Sequence, residues 1–428
     1  MPPFRFRIGI ALCLAALAPP GWAQLQAPVG GPPVPRPGSQ SPVGQRPEGF
    51  EAGPFFLKPY FAIGQLGVDT NVFYTPTDRQ TDFFASGGPG LKITLPLQRL
   101  RFTVDGDLQY YYFAKTEEQR RLGGNAAARV EYLGNAVRAG VERGYYLTWA
   151  RPNLQVDERV LREQWDTRAY LEFGKPDAGR LRVSPIFSLT RTELPDQPTY
   201  EGNDLNANLA RDTYVFGLGL SYRLTGKTSL LAGGDQQLDR FLETPSRDGD
   251  SNRIVLGIRI DSATRLGGEI VGGVRLYRPR SATGGPDLQR PYWNVDLRYA
   301  FGEKTRLEAG LRRDLQYSAL TAASTTQVME TGEYGARLLR DITEKIDLRL
   351  FARFRQIVGD GAVIVVGPDG QPEVVFRDDD DASYGADLGY TWKRLRVGLT
   401  AGYQKRNARS SDLGLDGLLL GASIVYNP

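Results

Sequence analysis

Apolar and polar side chains alternate along most of this chain, from Leu57 to the C-terminus. The alternating stretches are about ten residues long and recur about eighteen times, which is the period of a β-strand with one apolar face. Two clear examples are Arg101 to Tyr112 and Ile346 to Arg355. A strand of about 9–11 residues matches one tilted crossing of a bilayer. The pattern predicts an all-β fold, a transmembrane antiparallel β-barrel of about 18 strands, with a range of roughly 16–20.

Short and long connections alternate between the predicted strands. The short joints are Pro96 to Arg99, Leu133 to Ala136, Gly174 to Gly179, Thr225 to Lys227, Ser262 to Thr264, Gly302 to Lys304, Ile342 to Lys345, and Lys393-Arg394. The longer and more polar joints include Pro195 to Asp212, Glu243 to Asp250, Arg278 to Arg290, and Ile357 to Asp381. In outer-membrane barrels the short turns are periplasmic and the long loops extracellular. Both termini then lie on the short-turn side, which requires an even number of strands.

The N-terminal residues are typical of a secreted protein. Residues 1–23 combine a basic head, an apolar run from Ile8 to Ala18 and a small-residue cleavage site ending at Ala23, as in a signal peptide. Residues 24–53 are rich in Pro and Gly and predict a disordered periplasmic leader, either a flexible spacer or a polyproline docking segment for a periplasmic partner. Residues 54–428 form the predicted barrel. No later apolar run is long enough for a membrane-spanning helix.

Composition excludes several classes of function. The chain has 53 basic and 49 acidic residues. Removal of Arg5 and Arg7 with the signal peptide leaves 51 basic residues against 49 acidic ones, a balance that argues against a nucleic-acid partner. The chain has no histidine, and its one cysteine, Cys13, lies in the signal peptide. Because common hydrolytic triads and zinc sites depend on these residue types, we predict neither an enzyme nor a metal or other cofactor.

Aromatic residues cluster near the predicted strand ends, as in the girdles that mark the lipid headgroup level. The clusters are Tyr110, Tyr112 and Phe113; Tyr145, Tyr146 and Trp149; Tyr292 and Trp293; and Tyr390 and Trp392. Gly421, Ile424 and Tyr426 in the last strand are similar to the C-terminal signal of outer-membrane barrels. Asn427 and Pro428 depart from that pattern because they follow the last aromatic residue.

In many strands, charged residues occupy the alternate positions that lack aromatic side chains. We predict that these positions form the inner face of the barrel and contact water. A barrel of about sixteen to eighteen strands leaves room for an aqueous channel. Such residues either pair between neighbouring strands and stiffen the wall, or create a field that binds anionic or hydroxyl-rich solutes in transit. The candidate pore-lining residues are Arg129, Glu131, Arg168, Glu172, Arg275, Asp296, Arg298, Arg306, Glu308, Arg312, Asp314, Asp347, Arg349, Arg353 and Arg355.

Two subsets of the inward face suggest a more specific role. Arg349, Arg353 and Arg355 share one strand with only Asp347, which predicts an unpaired cluster of positive charge. Four tyrosines also have the inward phase, and their rings either stack on sugars or simply fill the lumen: Tyr111, Tyr146, Tyr170 and Tyr277.

The longest connection follows the arginine-rich strand. Val363 to Val366 and Val374 to Phe376 flank Pro368-Asp369-Gly370, which predicts a small hairpin with a Pro-Asp-Gly turn. Asp378 to Asp381 are either calcium ligands or, as we favour, a solvated acidic run without the spacing of a calcium loop.

Short motifs carry a family resemblance. The segment Val68-Asp69-Thr70-Asn71-Val72-Phe73-Tyr74 and the strand-turn-strand units Ser221 to Thr228 and Tyr299 to Thr305 resemble an outer-membrane β-barrel family often encoded with capsule and exopolysaccharide export systems. The resemblance covers Leu57 to Pro428. It implies an outer-membrane conduit surrounded by lipid, with a polysaccharide as cargo and a periplasmic polysaccharide-export protein as partner.

Three functions therefore stand as hypotheses. The first is a conduit for a secreted polysaccharide, the second a general diffusion porin for small solutes, and the third a structural or adhesive barrel. All three functions require the same alternation of apolar and polar residues, so this pattern does not distinguish them. The sequence leaves open the cargo, the oligomeric state, whether the lumen is open, gated or plugged, and whether Ala150 to Glu163 folds inward as a constriction.

Overall fold

A computed structural model describes residues 49–426, except 74–77, 157, 175–178, 201, 262–263, 282–284, 320–326, 359–361, 367–371, 377–379 and 408–414. The predicted signal peptide, residues 24–48 of the predicted leader, and Asn427-Pro428 lie outside the described residues. The last residues before the barrel are described: Phe50–Ala52 pairs antiparallel with the start of the first barrel strand. Regular structure therefore reaches into the final residues of the segment predicted as a disordered leader.

Eighteen antiparallel strands form a closed barrel, which confirms the predicted fold class and strand number. Each strand pairs with its neighbours in sequence, and the last strand pairs with the first through Phe61↔Tyr426 and Asp69↔Leu419. The barrel strands are β1 (Phe55–Asp69), β2 (Asp82–Pro96), β3 (Leu100–Phe113), β4 (Arg121–Leu133), β5 (Val137–Ala150), β6 (Val160–Phe173), β7 (Leu181–Glu193), β8 (Arg211–Arg223), β9 (Thr228–Phe241), β10 (Gly249–Ile260), β11 (Leu266–Pro279), β12 (Leu288–Ala300), β13 (Thr305–Tyr317), β14 (Val328–Asp341), β15 (Ile346–Val358), β16 (Asp380–Trp392), β17 (Leu395–Asn407) and β18 (Leu415–Tyr426).

The strands are longer than the alternation predicted. They contain 12 to 15 residues, against about ten in the sequence pattern. A strand of about 14 residues, tilted by about 40°, rises roughly 35 Å, whereas the apolar band of an outer-membrane barrel is about 25 Å tall. The strands therefore extend beyond the lipid, where neither face needs to be apolar and the alternation is lost.

One face of the barrel wall is apolar and faces outward. Its large side chains, such as Leu256 and Leu399, keep 68% and 61% of their surface exposed in the isolated chain. Three residues assigned to the aromatic girdles do not belong there, because neighbouring residues on a strand face opposite sides: Phe113, Tyr146 and Tyr292. Trp149 is also absent from the girdle, because it is buried in an apolar cluster with Tyr111 and Phe113. The outward members include Tyr110, Tyr112, Trp293, Tyr390 and Trp392.

The connections alternate as predicted between the two ends of the barrel. Eight short turns of two to seven residues lie at one end, and nine loops of seven to twenty-one residues lie at the other. The longest turn, residues 174–180, has the same length of seven residues as the loop 114–120. We number the loops L1 (70–81), L2 (114–120), L3 (151–159), L4 (194–210), L5 (242–248), L6 (280–287), L7 (318–327), L8 (359–379) and L9 (408–414).

Small elements lie within the loops. L4 contains the two-residue strands Thr199–Tyr200 and Asn203–Asp204 and the short helix α1 (Leu205–Leu209), whose first turn is capped by the Asp204 carboxylate. Single 3-10 turns lie at Glu117–Gln119 and Pro245–Arg247. Ala362–Val366 and Pro372–Phe376 of L8 pair as a two-stranded sheet, so the predicted hairpin is present, while its Pro368-Asp369-Gly370 turn lies outside the described residues.

Candidate transport pathway

The inner face of the barrel is identified by a buried ion pair. Arg253 on β10 and Asp235 on β9 are directly opposite in the ladder, and their side chains are 0% and 2% exposed. Only the interior of a closed barrel can bury charges this completely, since no other part of the described chain covers the outer wall. Residues opposite each other in a ladder share a face of the sheet, so the register extends this assignment to every strand.

By this register, the structure places all fifteen candidate pore-lining residues on the inner face. For example, Arg275 is opposite Arg253, Arg129 and Arg168 are both opposite Glu142, and Arg298 is opposite Glu308. They do not form one cluster. They lie on six of the eighteen strands: β4, β6, β11 to β13 and β15.

Many of the inward charges form ion pairs between neighbouring strands, or along one strand. An Arg129 guanidinium nitrogen lies 2.5 Å from Glu142 Oε2, and Arg259 lies 2.8 Å from Glu269. Arg275 lies 3.2 Å from Asp314 on β13, although β11 and β13 are not adjacent. In these pairs the partner of opposite sign offsets part of the cost of desolvating the charge, which an unpaired ion on the wall would bear in full.

The prediction that Arg349, Arg353 and Arg355 form an unpaired cluster is wrong. Arg349 lies 3.1 Å from Asp347, Arg353 lies 2.8 Å from Glu333 of β14, and Arg355 lies 2.6 Å from Asp381 of β16. A search along one strand misses these partners, because Glu333 and Asp381 belong to the two neighbouring strands.

A second group of ion pairs continues from those of Arg349, Arg353 and Arg355 toward the short turns. Arg396 of β17 lies 2.7 Å from Asp347 and also contacts Asp387 of β16. Asp387 in turn accepts a hydrogen bond from Thr400 at 2.9 Å. Arg396 and Asp387 were not among the predicted pore-lining residues, although their inward phase was available in the sequence.

The four inward tyrosines are not arranged as a continuous track. Tyr170 donates a hydrogen bond of 3.0 Å to Glu131, and Tyr111 donates one of 2.7 Å to Gln109. Tyr111 is also buried in an apolar cluster, and Tyr277 is buried in another with Phe241 and Tyr317. Two of the four rings therefore serve as packing, and only Tyr146 and Tyr170 remain half-exposed on the inner wall.

L3 crosses the lumen at the loop end of the barrel. It connects β5 and β6, yet its side chains contact β13, L7 and β14 to β16, on the opposite side of an eighteen-stranded barrel. Gln155 Oε1 accepts hydrogen bonds from Ser318 Oγ at 3.0 Å and from the Ala319 amide at 2.7 Å. Leu154 packs against Met329 and Ile357. The sequence left open whether this segment folds inward, and the structure shows that it does.

Both ends of L3 are tied by charged side chains. Arg151 lies 3.5 Å from Asp381, the carboxylate that also binds Arg355. Arg159 lies 3.2 Å from Asp69 at the end of β1 and donates a hydrogen bond to the Val72 carbonyl of L1. The constriction is thus fixed at three positions around the barrel wall.

L4 and part of L7 pack on L3 and complete what we call the loop cap (L3, L4 and Ser318-Ala319). Its apolar centre is formed by buried residues of L3, L4 and L7 together with Val160 of β6: Val156, Val160, Leu194, Tyr200, Leu205, Leu209 and Ala319. Asn208 of α1 donates a hydrogen bond of 2.8 Å to the Ala319 carbonyl. The main apolar packing of the interior therefore lies beneath the loops rather than between the strands.

Arg247 of L5 also contacts the loop cap. Its guanidinium donates a hydrogen bond of 2.6 Å to the Ser318 carbonyl and lies over the Phe241 ring, 5.2 Å from the centroid. Burial lowers the pKa of Arg247 to about 10. Since that pKa remains well above neutrality, the side chain keeps its charge and its hydrogen bond at physiological pH.

The acidic run before β16 does not show a cation site in the part that the structure describes. Asp378 and Asp379 lie outside the described residues, and Asp381 is occupied by Arg355, Arg151 and Gln404. Within the described ranges, no group of three Asp, Glu, His or Cys side chains has the geometry of a metal site. No helix in the same ranges is long and apolar enough to cross a membrane.

An antiparallel barrel of eighteen strands that is apolar outside, charged inside and narrowed by an inward loop is an outer-membrane barrel of the porin type. The chain belongs to the family described as "Putative beta-barrel porin 2", whose profile matches residues 42–418. It is accordingly a protein of the Gram-negative outer membrane. No curated protein matches its sequence significantly.

Solved structures with a similar fold include two porins and an iron transporter. A BenF-like porin from Pseudomonas fluorescens Pf-5 has a TM-score of 0.49 at 12% identity, over 87% of this chain and 99% of that one. OccK2 (OpdF) from Pseudomonas aeruginosa has a TM-score of 0.47 at 12% identity, over 87% and 98% of the two chains. The FrpB iron transporter from Neisseria meningitidis has a TM-score of 0.41 at 10% identity; the match covers 82% of this chain and 62% of the transporter.

Proposed function

We propose that this protein is an outer-membrane channel for the passive diffusion of small solutes, with a preference for anions. The observation that carries the proposal is L3, which crosses the lumen and is held on the far wall through Gln155, Ser318 and Ala319. A charged lumen that is narrowed by a fixed loop suits the passage of small, hydrated solutes. A polymer would need a wide, unobstructed passage instead.

The preference for anions follows from the balance of charge on the inner wall. Of the fifteen candidate pore-lining residues, nine are arginines and six are carboxylates. The other charged residues that the register places inward, such as Arg182, Arg259 and Arg396 against Glu142, Asp235 and Asp387, do not reverse this excess. Arg129 and Arg306 still expose 39% and 27% of their side chains although each has an acidic partner. Exposed arginines in excess attract anions and repel cations within a low-dielectric wall.

Export of a polysaccharide remains the alternative that the family resemblance implied. It needs a passage wide enough for a polymer and a periplasmic export protein that delivers the chain to the short turns. The loop cap lies across the path such a polymer would take. The geometry therefore supports the small-solute channel better than the export conduit.

Proteoliposome swelling tests the proposed function. With valinomycin present to carry K+, we expect vesicles that contain the purified barrel to swell in isotonic potassium gluconate and, more slowly, in neutral pentoses, and not to swell in a large oligosaccharide. A parallel deletion in the native bacterium separates the alternatives. Reduced uptake of small anions with normal surface polysaccharide supports the channel, whereas loss of surface polysaccharide with unchanged small-solute uptake contradicts it.

A further inference from the structure

The short turns share a basic residue at one equivalent position. In seven of the eight turns, the last residue before the next strand is Arg or Lys; six of these turns are longer than two residues, and their six basic side chains are all exposed. We call these residues the basic collar: Arg99, Arg180, Lys227, Arg265, Lys304 and Lys345. The turn 134–136 has Ala136 at this position, and the two-residue turn before β17 ends with Arg394.

Backbone hydrogen bonds show that the six positions are structurally equivalent. The carbonyl of each collar residue accepts a hydrogen bond from the next hairpin, for example from Asp261 N to Lys227 O at 2.8 Å and from Asp341 N to Lys304 O at 2.8 Å. The other four acceptors are bonded in the same way by Leu133, Arg223, Ala300 and Thr391 at 2.7 Å. These bonds extend each strand ladder by one residue into the turn.

Because the ladder continues, the alternation of faces continues as well. Each collar residue lies two positions before a residue of the inner face, such as Arg182 after Arg180 and Arg306 after Lys304. The collar therefore has the inward phase and surrounds the mouth of the lumen. Side chains that served only to contact lipid would have the outward phase.

A second tier of arginines lies one step deeper. Arg138, Arg223 and Arg259 lie within electrostatic range of Arg182. Two members of this group pair with carboxylates: Glu172 lies 3.7 Å from Arg182, and Glu269 lies 2.8 Å from Arg259. The acidic residues of the turns, Asp177, Asp261, Glu303 and Glu344, offset part of the charge of the collar.

We infer that the basic collar and the arginines behind it form a binding vestibule for phosphate-bearing anions at the periplasmic mouth. Rings of Arg and Lys confer anion and phosphate selectivity on pores, and convergent charges at a low-dielectric mouth concentrate counter-ions. The inference deepens the proposed function, since it locates anion capture on the periplasmic side. It does not depend on conduction, because the vestibule lies at the end opposite the loop cap.

Calorimetric titration with inorganic tripolyphosphate tests the vestibule on the whole barrel in neutral detergent. The test variant is Arg180→Gln, Lys227→Gln, Arg265→Gln and Lys304→Gln, which neutralises four adjacent turns. The control is Lys115→Gln, Arg278→Gln, Arg280→Gln and Lys405→Gln, which removes the same charges from exposed positions at the loop end. We expect the collar variant to bind tripolyphosphate at least about tenfold more weakly, and the control to stay within about twofold of wild type.

Equal loss of affinity in both variants, or no binding by the wild type, would overturn the inference. A membrane role is separated by vesicles that contain anionic phospholipid. If the collar variant keeps its affinity for tripolyphosphate but loses affinity for these vesicles, the collar contacts lipid and the vestibule is refuted. Failure of the proposed channel is distinguishable, because a barrel that does not conduct can still show the predicted difference in binding.

Discussion

Arg253 and Asp235 show what a single ion pair contributes on the inner wall. Both side chains are fully buried, at an N–O distance of 2.6 Å, and the guanidinium lies over the Tyr292 ring, 4.7 Å from the centroid. Removal of one partner from such a pair leaves an uncompensated charge in a low-dielectric site.

Replacement of Asp235 by Asn therefore tests the pair. We expect Asp235→Asn to lower the free energy of unfolding by about 3–5 kcal/mol, because Arg253 would stay buried without its counter-ion. The control Glu308→Gln removes a carboxylate from a half-exposed pair and should cost less than about 1 kcal/mol. Urea unfolding in lipid vesicles, followed by tryptophan fluorescence, measures both. Equal effects of the two substitutions would contradict the assignment of Asp235 to a dry interior.

Residue-level prediction from sequence succeeds for faces and fails for partners. Whether a residue faces inward depends on its odd or even position along its own strand, which the sequence shows. Arg129, Glu308 and Arg353 are therefore assigned to the inner face correctly. The partner of Arg353 is Glu333 on another strand, and that pairing depends on the register between strands. The length of the intervening turn and the hydrogen-bond ladder set this register, and neither can be read from the charged residues alone.

In the proposed channel, L3 is the element that limits passage. Its central residue, Gln155, is 3% exposed and accepts two hydrogen bonds from the opposite side of the barrel. Leu has nearly the same size as Gln but offers no acceptor, so the substitution leaves the Ala319 amide unpaired.

We predict that Gln155→Leu loosens L3 and raises the single-channel conductance and its noise, since the loop loses its attachment to L7. The exposed turn residue Gln98 provides the matched control, and Gln98→Leu should leave conductance unchanged. Single-channel recordings of the two variants beside the wild type provide the measurement. Unchanged conductance and noise in Gln155→Leu would show that the loop does not limit the passage.

The strands could be predicted from the sequence, whereas the loop cap could not. Strand periodicity, turn residues and the alternation of short and long joints are all local signals, and they predicted both the number and the order of the strands. The buried loop residues Asn153, Gln155 and Val156 follow no period. Their burial results from contacts with residues more than 150 positions away, so a sequence pattern does not identify them.

At the scale of the whole molecule, closure of the barrel combines these features. Eighteen strands enclose a lumen wide enough for water, the inner wall carries excess arginine, and the loop cap restricts one end while the basic collar surrounds the other. Each feature alone is compatible with a scaffold. Together they support the proposed anion-preferring channel, with its narrow part at the extracellular side.

The reversal potential in a planar bilayer under a KCl gradient tests this account most directly. We predict discrete wild-type channels whose reversal potential has the sign set by chloride. In a triple variant that combines Arg129→Gln, Arg168→Gln and Arg306→Gln, the reversal potential should move toward zero, because three inward positive charges are lost. The matched loop variant Lys115→Gln, Arg278→Gln, Arg280→Gln should keep the wild-type value. A wild-type barrel that prefers cations, or that remains closed even with Gln155→Leu, would contradict the account.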